Sequence, residues 1–183
     1  YDDWAAQGAT GWAWKDVQPV FNAHENNEQY SADNWHGVGG PLNVTRVRDV
    51  NPLTPLFIKS GEELGYTRND DFNGPEQKGF GRFQVTQKEG RRWRAARAFL
   101  DPARGRDNLH IMTDVQVTKV LLDCGRAIGV EICDSDGAQS VIRTNKEVIL
   151  SGGAINSPQL LMLSGIGERE HLSKIGISCL QDS

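Results

Sequence analysis

Short runs rich in Val and Ile, broken by turn residues, dominate the second half of the chain. Residues 109–113, 115–122, 127–133, 140–143 and 147–151 each have the length and composition of a strand. Asp123-Cys124-Gly125 and Asp134-Ser135-Asp136-Gly137 supply turns between them, which predicts a small antiparallel meander. The last run passes straight into Gly152-Gly153, and a helix is expected over 158–164, closed by Gly165.

The first half shows helical spacing. Residues 15–26 place Val17, Val20, Phe21 and His24 on one face, with Pro19 in the first turn, where a missing N–H costs little. Residues 54–64 predict a second helix: Thr54 can cap, Pro55 suits the first helical position and Gly65 ends it. Leu56, Phe57 and Leu64 would be its buried side. The run from His36 to Leu42 must loop, and Asn51-Pro52 is a break. Residues 67–79 are polar and turn-rich. A strand is expected over 80–86, with Phe83 and Val85 on one face, and a helix over 91–100, stopping at Asp101-Pro102. The fold class is α/β, reading as α+β if the chain stands alone: short antiparallel strands and helices.

Composition narrows the function. The chain has 183 residues, room for about one domain. Lys and Arg number 20 against 24 Asp and Glu, a net charge of −4, so no nucleic acid is expected as a partner held by overall charge. Arg91, Arg92, Arg94, Arg97, Arg104 and Arg106 form a local basic cluster that reads as a solvated face. Hydrophobic residues are 38%, and the 20 glycines bring the balance to an ordinary globular value. No apolar run is long enough for a transmembrane segment. Cys124, Cys133 and Cys179 are odd in number and scattered, which suggests a reducing compartment. The expected localisation is cytoplasmic, or peripheral at the inner membrane. Tyr1 follows no leader, and the chain stops directly after the strand-like run 175–180. Both ends read as cuts through a longer protein.

The candidate chemistry sits where the last strand meets the last helix. Ser151-Gly152-Gly153-Ala154 carries almost no side chain, so a flat ligand could lie against bare backbone. Ser157-Pro158 reads as an N-cap with a first-turn proline, which would aim free N–H groups at the loop and suit a nucleotide or another anion. A tight crossover that needs small residues for packing explains the same pattern. Asn69, Asp71, Asn73 and Gly74 have calcium-loop spacing, but Phe80 stands where the bidentate Glu belongs, so no metal is expected. His24, His36, His110 and His171 read as surface or packing histidines. No zinc spacing, nucleophile elbow or P-loop is present.

The stretch from Gly153 through Ala154, Ser157-Pro158 and Ser164 to Gly165-Ile166-Gly167 resembles, along its whole length, the second signature of the glucose-methanol-choline (GMC) FAD-dependent oxidoreductases. Trp4-Ala5-Ala6-Gln7-Gly8, Gly11 to Val17, His36-Gly37 and Gly40-Pro41-Leu42 resemble the family's segments around its active-site insertion. Asp70 to Gly74, Gly79-Phe80-Gly81, Gly90-Arg91-Arg92 and Ala95 to Leu100 are similar to the bacterial choline and alcohol dehydrogenase branch. The resemblance implies that residues 1–45 are part of the substrate-side lid insertion and 46–183 the middle segment of an FAD-binding domain. It implies FAD as cofactor, a small-molecule alcohol as substrate and an unspecified electron acceptor. It implies too that the GxGxxG fingerprint and the catalytic His lie outside these residues, so no catalytic residue is carried over and residues 1–183 alone are expected not to turn over. In the family's mechanism that His takes the hydroxyl proton while hydride passes from carbon to flavin N5. Val117, at the family's adenine-contact position, and Ser151, Gly152, Gly153 and Ala154 are the implied cofactor-binding residues. The alternative is a non-catalytic structural or binding module that keeps part of the fold.

Overall fold

The computed structural model describes residues 1–183, which divide into two units, Tyr1–Leu109 and His110–Ser183. No helix is long and apolar enough to cross a membrane.

The first unit opens with helices α1 (Asp2–Ala6) and α2 (Trp14–His24). The helix expected to reach Asn26 stops at His24, because Glu25 turns extended and Glu25–Asn27 becomes strand β1, paired in parallel with β2 (Leu42–Val44). Polar side chains decide this. Asn26 Nδ2 donates to Asn43 Oδ1 (2.7 Å), and Asn27 Nδ2 donates to Glu25 Oε1 (2.8 Å) and Gln84 Oε1 (3.0 Å). Those partners are specified by tertiary structure and outweigh the local helical period. The 36–42 loop returns so closely that a Cβ on Gly37 would fall on the Asn22 carbonyl.

The chain turns into helix α3 (Leu53–Glu63) at Asn51, whose side-chain oxygen accepts the Leu53 N–H (2.9 Å). Thr54 lies inside the helix and does not cap it. The inward side is Ile58 and Gly61, the latter against the Phe80 ring. Leu56, Phe57 and Leu64, expected inside, are 60%, 66% and 78% exposed. Residues 80–86 form no strand and join their neighbours through single bridges, Arg68 with Phe80 and Thr45 with Val85. The helix expected over 91–100 begins instead as a hairpin, β3 (Gln87–Lys88) with β4 (Arg91–Arg92). Glu89 and Gly90 between them both take positive φ, and Trp93 Nε1 donates to the Pro41 carbonyl (2.8 Å), holding the chain extended. Only Ala96–Leu100 winds, as a wide π turn leading into a 3-10 turn at Asp101–Ala103.

The second unit holds the expected meander as three antiparallel strands, β5 (Val115–Asp123), β6 (Arg126–Asp134) and β7 (Gln139–Arg143), in that order. Val120 and Ile132 are buried, and helix α4 (Gly153–Leu163) packs on β5. Helix α5 (Arg169–Lys174) buries Leu172 completely. Residues 109–113, 147–151 and 175–180 are not strands. Val148, Ile149 and Leu150 make no backbone–backbone hydrogen bond, and apolar composition without a neighbour to pair with does not make a ladder.

Candidate functional site

Strand β5 is an edge of its sheet, and a bulge decides which of its backbone groups face outward. Ile128 accepts from the Thr144 N–H and Asp134 donates to the Ala138 carbonyl, both at 3.1 Å. The even-numbered residues of β6 therefore turn their backbone groups toward β7. Ile132 is one of them and stands opposite Val117. The N–H and C=O of Val117 accordingly have no ladder partner on β6 and face the open edge. The Val117 carbonyl accepts there from Gln116 Nε2 (3.1 Å).

Val120 faces the same way: its N–H donates to Ser164 Oγ (2.8 Å). Two residues three apart cannot both face outward in a regular strand of period two. The register shift between Val117 and Lys119 makes it possible, with Thr118 as the extra residue, its hydroxyl donating to Glu131 Oε1 (2.7 Å).

Beside this edge lies a cleft of about 560 Å³. Val117, Val130, Leu160 and Leu163 supply apolar walls; Gln116, Ser151, Asn156, Ser157 and Gln159 supply polar groups; residues 148–152 complete the lining. Of the implied cofactor-binding residues, Val117, Ser151 and Gly152 meet in this cleft. Gly153 and Ala154 are exposed at the start of α4.

The local chemistry of the loop differs from expectation. Helix α4 starts at Gly153, five residues before the expected start, so Ser157-Pro158 lies inside it. Ser157 is not the N-cap. Its Oγ reaches back to accept the Gly152 N–H (2.9 Å). Pro158 has no N–H to give the Ala154 carbonyl, so the first turn of α4 lacks that backbone bond. A Cβ on Gly152 would lie 3.1 Å from Asn156 Cβ and 3.2 Å from Ser157 N, so a side chain there would require the entrance of α4 to give by a few tenths of an ångström.

The first unit carries a polar cluster around His36, whose own segment marks it only as a surface or packing histidine. His36 is 2% exposed and stacks on Tyr30 at 4.6 Å. Its Nε2 meets Asp71 Oδ2 at 2.8 Å, and its Nδ1 faces the Glu25 carboxylate at 3.4 Å. Burial alone would push the His36 pKa down, but hydrogen bonds and charge from Asp71 and Glu25 overcome it and raise it above 6.5. The calcium-spaced residues are engaged here: Asp71 binds His36 and the Asn73 N–H, and Asn69 Nδ2 donates to the Glu76 carbonyl (2.6 Å).

Comparison with known proteins converges on one family. The family model described as GMC oxidoreductase matches residues 1–180. An alcohol dehydrogenase (acceptor) of Pseudomonas putida is 43% identical over 183 residues, covering 100% of this chain and 33% of that protein. An oxygen-dependent choline dehydrogenase of Brucella ovis is 43% identical over 182 residues, with the same shares of 100% and 33%. Among solved structures, an FAD-dependent oxidoreductase from Chaetomium thermophilum superposes with a TM-score of 0.89 at 27% identity, over 100% of this chain and 34% of that one. The chain spans about a third of the length of the curated relatives it matches.

Proposed function

Because this chain belongs to the GMC oxidoreductase family, we propose that it forms one wall of the FAD site in a longer enzyme that oxidises a primary alcohol to an aldehyde. The observation that carries the reading is the outward-facing backbone of Val117 beside the cleft. An N–H donor and a C=O acceptor on one residue match the ring-nitrogen acceptor and amino donor along one edge of adenine. Val117 holds that edge by backbone alone, so its side chain need only be compact and apolar. Val130, Leu160 and Leu163 exclude water from the ring faces. Ser151 and Gly152 border the ring, and the N–H groups of Gly153 and Ala154, in the first turn of α4, are free for ligand oxygens.

FAD, when bound, supplies the hydride acceptor. No residue of 1–183 is assigned to proton transfer. Residues 1–45 serve the substrate side and 46–183 the cofactor domain, in a protein that is cytoplasmic or peripheral at the inner membrane.

The test is expression of the whole protein that contains this chain, with absorbance of the purified product and turnover of choline, benzyl alcohol and a short aliphatic alcohol with an artificial acceptor. A yellow protein that reduces the acceptor with at least one of these is expected. A colourless protein that takes up no added FAD would overturn the reading.

A further inference from the structure

Ser164 is completely buried and does not itself line the cleft, yet its hydroxyl makes two bonds at once. It donates to the Leu160 carbonyl within α4 (2.6 Å) and accepts the Val120 N–H of β5 (2.8 Å). Val120 is itself buried, and its N–H faces away from β6, so this amide depends on Ser164 for a partner. The hydroxyl thus joins the end of α4 to the edge of β5. The joint lies one residue from Leu163 and three from Val117, both of which line the cleft.

We propose that Ser164 is a positioning residue for the adenine end of the cofactor: it sets the gap between Leu160–Leu163 and the outward-facing Val117 backbone. The role rests on the FAD reading above. The site requires a group that donates and accepts simultaneously in a space with no exposure, which a hydroxyl provides and a methyl does not. Without it the Val120 N–H is orphaned, and the end of α4 is free to shift away from β5. Gly165 fixes the chain immediately beyond, its carbonyl accepting from Leu180 (2.7 Å) and Gln181 (3.1 Å), so the tie is anchored from both sides.

The experiment uses the whole protein, stripped of FAD and titrated with FAD and separately with ADP, which carries only the adenine end. Ser164→Ala is expected to weaken both by about tenfold, the value of one well-placed hydrogen bond. Ser164→Thr keeps the hydroxyl and is expected to stay within about threefold of wild type. Leu172→Ala is the control, because it opens a cavity at the fully buried Leu172 of the same unit, away from the cleft lining. It should lower thermal stability at least as much as Ser164→Ala while leaving both dissociation constants unchanged below the transition. Equal FAD and ADP binding by Ser164→Ala and wild type overturns the positioning role and leaves the flavin reading intact. Equal losses in Ser164→Ala and Leu172→Ala overturn it too, by reducing it to general destabilisation. A wild-type protein that takes up no FAD overturns both.

Discussion

His36 Nε2 lies 2.8 Å from Asp71 Oδ2 and ties a fully buried ring to a loop 35 residues further along the chain. The second nitrogen faces Glu25 in β1, so one imidazole joins three segments that are far apart in sequence. A protonated ring between two carboxylates donates from both nitrogens.

The first prediction concerns pH. The folded-state pKa of His36 is raised above its unfolded value of 6.5. Its contribution to stability is therefore full below pH 6.5 and is lost as pH climbs through the folded-state pKa. Urea midpoints should fall from pH 6 toward pH 9 by more in wild type than in His36→Gln, whose side chain does not titrate. Parallel pH profiles for the two proteins would refute the charged clasp. His36→Ala, which strands two part-buried carboxylates, should cost about 3 kcal/mol or more.

The second concerns the return of the 36–42 loop. A methyl on Gly37 would overlap the Asn22 carbonyl, and backbone cannot swing aside as a flexible side chain can. Gly37→Ala should destabilise the protein by about 1–3 kcal/mol. Gly105→Ala meets nothing within 4 Å and should be near neutral in the same denaturant titration.

The third separates backbone from side chain at the proposed adenine contact. Val117→Pro removes an N–H that β6 does not use, and proline is tolerated at edge positions facing away from the ladder. FAD affinity should drop about tenfold or more, with thermal stability close to wild type. Val117→Ala keeps the N–H and should bind within a few-fold. If the alanine variant loses more affinity than the proline variant, the side chain rather than the backbone holds the ring.

The fourth addresses the crossover. Ser157→Ala deprives the Gly152 N–H of its acceptor and should cost about 1 kcal/mol, the usual value of one intramolecular hydrogen bond. Amide exchange at Gly152 should accelerate in the variant while exchange at Val120 stays unchanged. Unaltered exchange at Gly152 would show that the hydroxyl does not hold the loop.

Local chemistry determined a good part of this protein. Val and Ile runs separated by Cys124-Gly125 and by Gly137 specified β5, β6 and β7 because alternation and turn residues act over a few positions. The small residues at 151–154 marked the crossover for the same reason. Elements that need a distant partner are not legible locally: residues 80–86 and 147–151 have strand composition but no ladder to join, and β1 exists only because Leu42–Val44 returns beside it. The start of α4 is hidden in the sequence because Ser-Pro has the same local signature at a helix entrance as in this early turn. The outward face of Val117 lay furthest out of reach. It depends on one extra residue opposite Glu131, a register set by the pairing of two strands and by no property of either strand alone. The burial of His36 between Glu25 and Asp71 is of the same kind: each residue is unremarkable in its own segment, and only the packed chain brings their charges together.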